Sequence, residues 1–133
     1  MTRKQALAEL IAKVEAGTLI PDNLIVSSEV SAMIDLAVNV SDLHGDVWAD
    51  LCAAYDGSLD AAKALHEAVL KGWTMDQMNQ WHEDGTPRGW AVHLLRHKPL
   101  PKKREQGSGF GITPARAWLL AILRALHAME AAE

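Results

Sequence analysis

The sequence predicts an α+β protein: an α-β-α sandwich in which helices cover a small antiparallel sheet of about three strands, with an extra helical region at the N-terminal end. Three observations support this fold class. Apolar residues recur at helical spacing in several segments, two segments between residues 73 and 96 have strand character, and a Thr-Pro pair opens a long apolar stripe near the end. The 133 residues, 49% of them apolar, suffice for one domain with its own core.

Helical patterns fill the beginning of the chain. Residues 3–16 place apolar side chains on one face, and Gly17 is suited to end that helix because glycine tolerates the left-handed conformation. A second apolar stripe follows Ser27 and Ser28, either of which can cap the helix by accepting a hydrogen bond from a free backbone N–H. Residues 18–27 are therefore predicted to be a connection.

Two further helices are expected before the sheet. The third is predicted to start at Ser41 and to end at Asp56-Gly57, although Gly45 inside it costs about 1 kcal/mol relative to alanine. The fourth starts at Ser58, a good cap, and ends at Gly72, a residue suited to the left-handed position after a helix.

The periodicity then changes to that of strands. Residues 73–81 are a strand candidate in which Met75 and Met78 fall on opposite faces by simple alternation. Asp84-Gly85 predicts the turn of a hairpin. Residues 88–96 form the second strand, and apolar residues on both of its faces favour layers on both sides of the sheet.

The last third of the chain combines a loop signal with a helix signal. Residues 97–109 contain two prolines, two glycines and a basic cluster, which predicts a loop. Phe110 and Ile112 fit a short third strand. Thr113 as a cap and Pro114 as the first helical residue then begin a long amphipathic helix.

The order of these segments resembles the phage ABA sandwich family of small phage and prophage proteins. The resemblance rests on Asp56-Gly57-Ser58-Leu59-Asp60-Ala61-Ala62, then Gly72-Trp73, then the hairpin, then Thr113-Pro114-Ala115-Arg116-Ala117-Trp118-Leu119-Leu120-Ala121. It covers residues 55–130, whereas residues 1–54 match only in being helical. It implies a three-layer α-β-α sandwich encoded by a phage or prophage, and it carries over no catalytic residues. We therefore treat residues 1–133 as a single domain, in which residues 1–54 form a helical N-terminal region and residues 55–133 the sandwich core.

Charge is distributed unevenly along the chain. The net charge is −4, but residues 1–60 hold three basic residues against ten acidic ones, whereas residues 61–133 hold ten basic against seven acidic ones. The acidic residues of the first half either form a face for a basic partner or simply lie on solvated faces of the helices. No signal-type or membrane-spanning apolar run is present, and one cysteine excludes an internal disulfide, so we expect a protein of the host cytoplasm without membrane contact.

Few residues are arranged for catalysis. His93 and His97 are four residues apart, a spacing that binds zinc on a helix, but here they fall on or after a strand. Cys52 lies among apolar residues, as a small buried hydrophobe does. The glycines of 107–111 lack the Gly-Lys-Ser/Thr of a phosphate loop. We expect no enzyme, metal or cofactor, and a metal-dependent enzyme using the two histidines is the alternative.

Two features predict an interaction surface. Arg96, Lys98, Lys102, Lys103 and Arg104 form a basic stretch that suits an acidic partner, while Trp81 is the tryptophan expected to be exposed. The leading hypothesis is a non-enzymatic phage-type accessory protein that acts through protein–protein contact, in host-factor inhibition or in assembly, with self-association left open. The alternative is a nucleic-acid-binding regulator using residues 96–104, against which the acidic balance and the lack of interleaved aromatics argue.

Overall fold

The elements of the fold follow start and stop signals in the chain. The computed structural model describes residues 1–20, 27–38, 47–96 and 105–131. In chain order these residues form α1 (Arg3–Ala16), α2 (Ser28–Ala37), α3 (Val47–Tyr55), α4 (Leu59–Val69), β1 (Thr74–Glu83), β2 (Thr86–Arg96), β3 (Glu105–Gly111) and α5 (Pro114–Ala131). The α+β class, the three-stranded antiparallel sheet and the helical N-terminal region are therefore confirmed.

Side-chain caps begin the helices where the sequence predicts. An oxygen of the cap accepts a hydrogen bond from the backbone N–H three residues ahead, at 3.2, 3.1 and 3.1 Å for Ser27, Ser58 and Thr113. Gly17, with φ of 71°, ends α1 in the left-handed conformation. The predicted start of the third helix at Ser41 lies outside the described residues, where α3 is first seen at Val47.

The three strands form one antiparallel sheet in the order β1-β2-β3. Asp84 and Gly85 connect β1 to β2 with φ of 53° and 76°, and two positive φ angles match the twist of the paired strands. The predicted hairpin is confirmed. Both of its strands extend further towards the turn than predicted, β1 to Glu83 and β2 from Thr86.

A β-bulge near the start of β1 changes which side chains share a face. Alternation alone predicts Met75 and Met78 on opposite faces. In the sheet the register shifts after Met75, so that Met75 lies opposite Leu94 and Met78 opposite Val92. The extra residue, Asp76, returns both methionines to one face, and both pack against the core. The prediction was wrong because counting residues cannot show an inserted one.

β3 consists largely of residues that the sequence places in a loop. The prediction of a loop over 97–109 is wrong for its last residues, because Glu105–Gly111 form a strand. A Cβ atom added to Gly109 would lie 2.2 Å from the carbonyl oxygen of Ala117 and 2.4 Å from the nitrogen of Ala121. The backbones of β3 and α5 are therefore in direct contact, and the glycines that suggest a flexible loop are what allow this approach.

The layers run in the order sheet, α5, remaining helices. α5 packs on β2 and β3, and its other sides contact α1, α3 and α4. One cluster of buried residues joins β2 with helices from both halves of the chain. The sequence predicts helices on both faces of the sheet, whereas the described helices stack on the face that carries Val92 and Leu94. An antiparallel sheet can pack one face on the core and leave the other to solvent.

Candidate functional site

The second face of the sheet presents aromatic and polar side chains from all three strands. Because side chains alternate along a strand, the register assigns this face to residues that lie opposite one another across the sheet. We call it the open face, and it comprises Gln77, Asn79, Trp81, Ala91, His93, Leu95, Gln106, Ser108 and Phe110. On the central strand, Ala91 and His93 are partly buried and Leu95 is buried, whereas the six residues on the outer strands are exposed.

Two aromatic rings occupy the hairpin end of the open face. Trp81 is 44% exposed and Phe110 46% exposed, and their ring centroids lie 5.3 Å apart at an interplanar angle of 75°. This edge-to-face arrangement is favourable and orients both rings. Gly89 lies between their strands, where a Cβ atom would come within 3.3 Å of the Phe110 ring. The exposure expected for Trp81 is confirmed, while Phe110 was expected only as part of a strand.

The ring of His93 is held between two polar side chains in the middle of the face. Its Nδ1 lies 3.1 Å from Oδ2 of Asp76, the bulge residue, and its Nε2 lies 3.0 Å from Oε1 of Gln106. An imidazole with a proton on Nδ1 donates to Asp76. The bulge thus has a second consequence, because it brings a carboxylate beside this histidine.

A shallow cleft lies between the aromatic end and the histidine. Its volume is about 230 Å³, and its walls include Asn79, Ala91, His93, Ser108 and Phe110. The cleft is lined by amide, hydroxyl, imidazole and aromatic groups and by the guanidinium group of Arg124. Such a surface can bind an apolar side chain and donate or accept hydrogen bonds around it, which is the composition of protein-binding patches.

The basic residues predicted to interact do not lie among the described residues. Lys98, Lys102, Lys103 and Arg104 all fall within residues 97–104. The residues that flank this segment are described, since Arg96 closes β2, Glu105 opens β3, and their side chains form an ion pair. Arg96 and Glu105 lie at the end of the sheet that is opposite to Trp81 and Phe110.

A second histidine, His66, is buried. His66, on α4, is 8% exposed, its Nε2 lies 3.0 Å from the carbonyl oxygen of Trp73, and its Nδ1 lies 3.1 Å from the indole Nε1 of Trp118. The indole N–H can only donate, so Nδ1 accepts and Nε2–H donates to the carbonyl. This histidine joins α4 to α5. Its helical spacing from the buried Ala62 is the signal in the sequence that could have indicated burial.

Among the described residues, the other candidates for a nucleophile or a metal ligand are not arranged for catalysis. The thiol of Cys52 is partly buried, and burial, together with the nearby carboxylate of Asp56, raises its pKa above the ordinary 9.0. A raised pKa keeps the thiol neutral and unreactive. His97, the proposed second metal ligand, lies outside the described residues, and within them no three His, Cys, Asp or Glu side chains are placed to hold a metal ion.

Comparison of the chain with models of protein families, with curated proteins and with solved structures finds no match. The resemblance to phage ABA sandwich proteins therefore rests on the sequence segments alone. Among the described helices, none has both the length and the apolar character that crossing a membrane requires.

Proposed function

We propose that this protein is a non-enzymatic binding protein whose open face docks a partner protein. The observation that supports this most directly is the Trp81–Phe110 pair. Two large aromatic side chains, each more than two fifths exposed, stand together on a sheet face that no described helix covers. Exposed tryptophan is enriched among the residues that dominate binding energy, and a rim of polar groups around it is typical of an interface.

The chemistry of the face and of the adjoining segment defines the kind of partner. An apolar side chain of the partner fits against Trp81 and Phe110, and its backbone or polar groups meet Asn79, Ser108 and Gln106. The basic residues of segment 97–104 favour acidic residues on the partner. A phage or prophage accessory role, in host-factor inhibition or in assembly, is the form of this function that the sequence resemblance implies.

The alternative is binding of single-stranded nucleic acid, because aromatic side chains on an open antiparallel sheet can stack on bases. Two features favour a protein instead. The rings of Trp81 and Phe110 stand at 75° to each other, so that together they do not present two parallel faces on which successive bases could stack. The strand residues of the open face include no Lys or Arg to follow a phosphate backbone. Arg124, the described cation that lines the cleft, is paired with Glu15 and with the carbonyl oxygen of Ser108.

The test uses one matched pair of tryptophans. Trp48 on α3 is 39% exposed, close to the 44% of Trp81, but lies on a different surface. Proteins are captured from a lysate of the producing cell with the wild type and with three variants, Trp81→Ala, Phe110→Ala and Trp48→Ala. Each captured protein is then purified, and its binding to the wild type and to each variant is measured by calorimetric titration. We expect a partner whose Kd rises about 30-fold with Trp81→Ala, the effect of losing an interface anchor, and changes less than about twofold with Trp48→Ala.

Two results would overturn the proposal. One is a set of partners that bind Trp81→Ala and Phe110→Ala as tightly as wild type. The other is salt-sensitive binding of an oligo(dT) strand with no protein partner, which would assign the face to nucleic acid. Changing Lys102, Lys103 and Arg104 together to Glu tests the basic segment separately, because unchanged binding would remove it from the interface.

A further inference from the structure

The two edges of the sheet differ in how they are protected. At β3, the guanidinium group of Arg124 on α5 donates a hydrogen bond of 3.0 Å to the carbonyl oxygen of Ser108. The same guanidinium pairs with Glu15 of α1 at 2.6 Å. Side chains of two helices therefore meet at the β3 edge, and one of them donates a hydrogen bond to a backbone carbonyl group of β3. A covered edge is one of the ways in which proteins prevent strands of other chains from pairing.

At β1 the described residues show no comparable cover. β1 packs on β2, and its residues from Asn79 to Glu83 are all exposed. Exposed edge strands are usually blunted by lysine, by proline or by a bulge that twists the edge away. After the bulge at Asp76, the stretch Gln77–Glu83 contains no lysine, no proline and a single charged residue, Glu83. The register shifts once more between Trp81 and His82, but the extra residue there, Arg88, belongs to β2, so that β1 itself has no inserted residue in this stretch. This stretch is a seven-residue template for the pairing of another strand.

We infer that Gln77–Glu83 pairs with the same stretch of a second copy of this chain, so that two sheets join into one antiparallel sheet of six strands. The partner is a second copy because the stretch is compatible with itself about a two-fold axis. With the axis at Gln80, Gln77 lies opposite Glu83 and Met78 opposite His82. With the axis at Asn79, Gln77 lies opposite Trp81. Within the stretch, like charges meet in neither register. Just outside it, the axis at Gln80 sets Asp76 opposite Asp84, whereas the axis at Asn79 sets Asp76 opposite His82.

The position of the one charged residue supports this antiparallel self-pairing. Glu83 ends the stretch, so that an antiparallel pair about Gln80 places the two Glu83 residues at opposite ends of the ladder, about 20 Å apart at 3.4 Å per residue. A charge in the middle would face its own copy and oppose the contact. The open faces of the two copies then lie side by side on one surface, which would make binding of a repetitive partner bivalent.

The contact is small and the dimer correspondingly weak. A pair of seven-residue edges buries less than the standard interface of about 1,600 Å², so we expect a dissociation constant on the order of 10 to 100 µM. Sedimentation velocity from about 1 µM to about 1 mM spans that range. The expected result is a shift from monomer to dimer over this range. A wild-type chain that stays monomeric throughout would overturn the inference and leave the function proposed for the open face standing.

A pair of lysine variants locates the contact. Asn79→Lys with Gln80→Lys brings like charges close together in either register, and we expect the dissociation constant of the dimer to rise at least about tenfold. Gln106→Lys with Ser108→Lys adds the same charge on β3 and should leave dimerisation unchanged. Loss of the dimer in the β3 variant instead would show that the open faces pack together, and would overturn edge pairing. Circular dichroism checks that both variants fold.

Hydrogen exchange of the wild type gives a readout that needs no variant. Backbone amides of Gln77–Glu83 that point away from β2 should exchange more slowly at high protein concentration, while those of β3 should not change. Dimerisation without added protection in Gln77–Glu83 would place the contact elsewhere and overturn the inference.

Discussion

The two faces of the sheet are built from the same three strands but differ in what they contact. On the face towards α5, small and aliphatic residues bring backbones into contact, and a Cβ atom at Gly109 would overlap the helix. On the open face, Trp81 and Phe110 project into solvent beside a histidine held by polar neighbours. The packed face therefore carries stability, and the open face is the one available for recognition, because only groups that are free of the core can contact another molecule.

The strongest test of this division replaces one residue on each face of β3. Gly109→Ala places a methyl group 2.2 Å from the carbonyl oxygen of Ala117, well inside van der Waals contact with the α5 backbone. We expect a loss of at least about 3 kcal/mol in the free energy of unfolding, or no folding, because strand and helix must separate. Urea unfolding measures it. The neighbouring Ser108→Ala, on the open face, should cost less than about 1 kcal/mol. Similar values at both positions would break the comparison.

The buried hydrogen bond between Trp118 and His66 provides a second test on the packed side. Trp118→Phe leaves Nδ1 of His66 without its donor at a site where the histidine is 8% exposed. We expect about 2 kcal/mol of destabilisation, from an unsatisfied buried acceptor and the smaller ring. Trp48→Phe, at an exposed site, is the control and should be nearly neutral. A double-mutant cycle with His66→Leu should show coupling, and strict additivity would mean that the bond contributes nothing.

On the open face the same measurements should give small values. The edge-to-face contact of Trp81 with Phe110 is expected to contribute about 1 kcal/mol as a coupling energy in a cycle of Trp81→Ala and Phe110→Ala. Each single variant should retain the wild-type far-ultraviolet circular dichroism and lose less than about 1 kcal/mol in stability. A loss above about 3 kcal/mol for either would show that the rings support the core, and would weaken the assignment of this face to binding.

The smallest effect concerns the reactivity of Cys52. Burial, and to a lesser extent Asp56, raises the pKa of its thiol above 9.0. Alkylation by iodoacetamide at neutral pH should be slower in the native protein than in the urea-unfolded chain, since the thiolate is the nucleophile. The stability contributed by the neutral thiol is present below pH 9.0 and is lost as the pH rises through the raised native pKa. Equal alkylation rates of native and unfolded protein would contradict the burial of this thiol.

The helices were predictable because their signals are local. The caps at Ser27, Ser58 and Thr113 and the stop at Gly17 act within four residues, and the structure places all of them where the sequence predicts. Of the site, the sequence singled out two residues, Trp81 as an exposed tryptophan and His93 as a candidate metal ligand. Trp81 was singled out, but its partner Phe110 lies on a different strand, and only strand pairing brings the two rings together.

The errors at β1 and β3 have a common physical cause. In the sequence, the bulge at Asp76 looks like broken alternation, and the glycine-rich strand β3 looks like a loop. Both features depend on a neighbouring element, which the segment's own sequence does not reveal. The bulge is set by pairing with β2, and the glycines by the approach of α5. Neither contact produces a periodic pattern of apolar residues in the sequence of the segment concerned.

By itself the sequence determined the type of most elements, the helix ends, the hairpin turn and a hydrophobic interior, because capping, turn conformation and amphipathic spacing depend on neighbours within a few residues. The tertiary structure decided which face of the sheet α5 covers, which edge Arg124 closes and which aromatic rings stand together in solvent. Those outcomes depend on contacts between distant segments of the chain, whose strengths are settled only when the whole core packs.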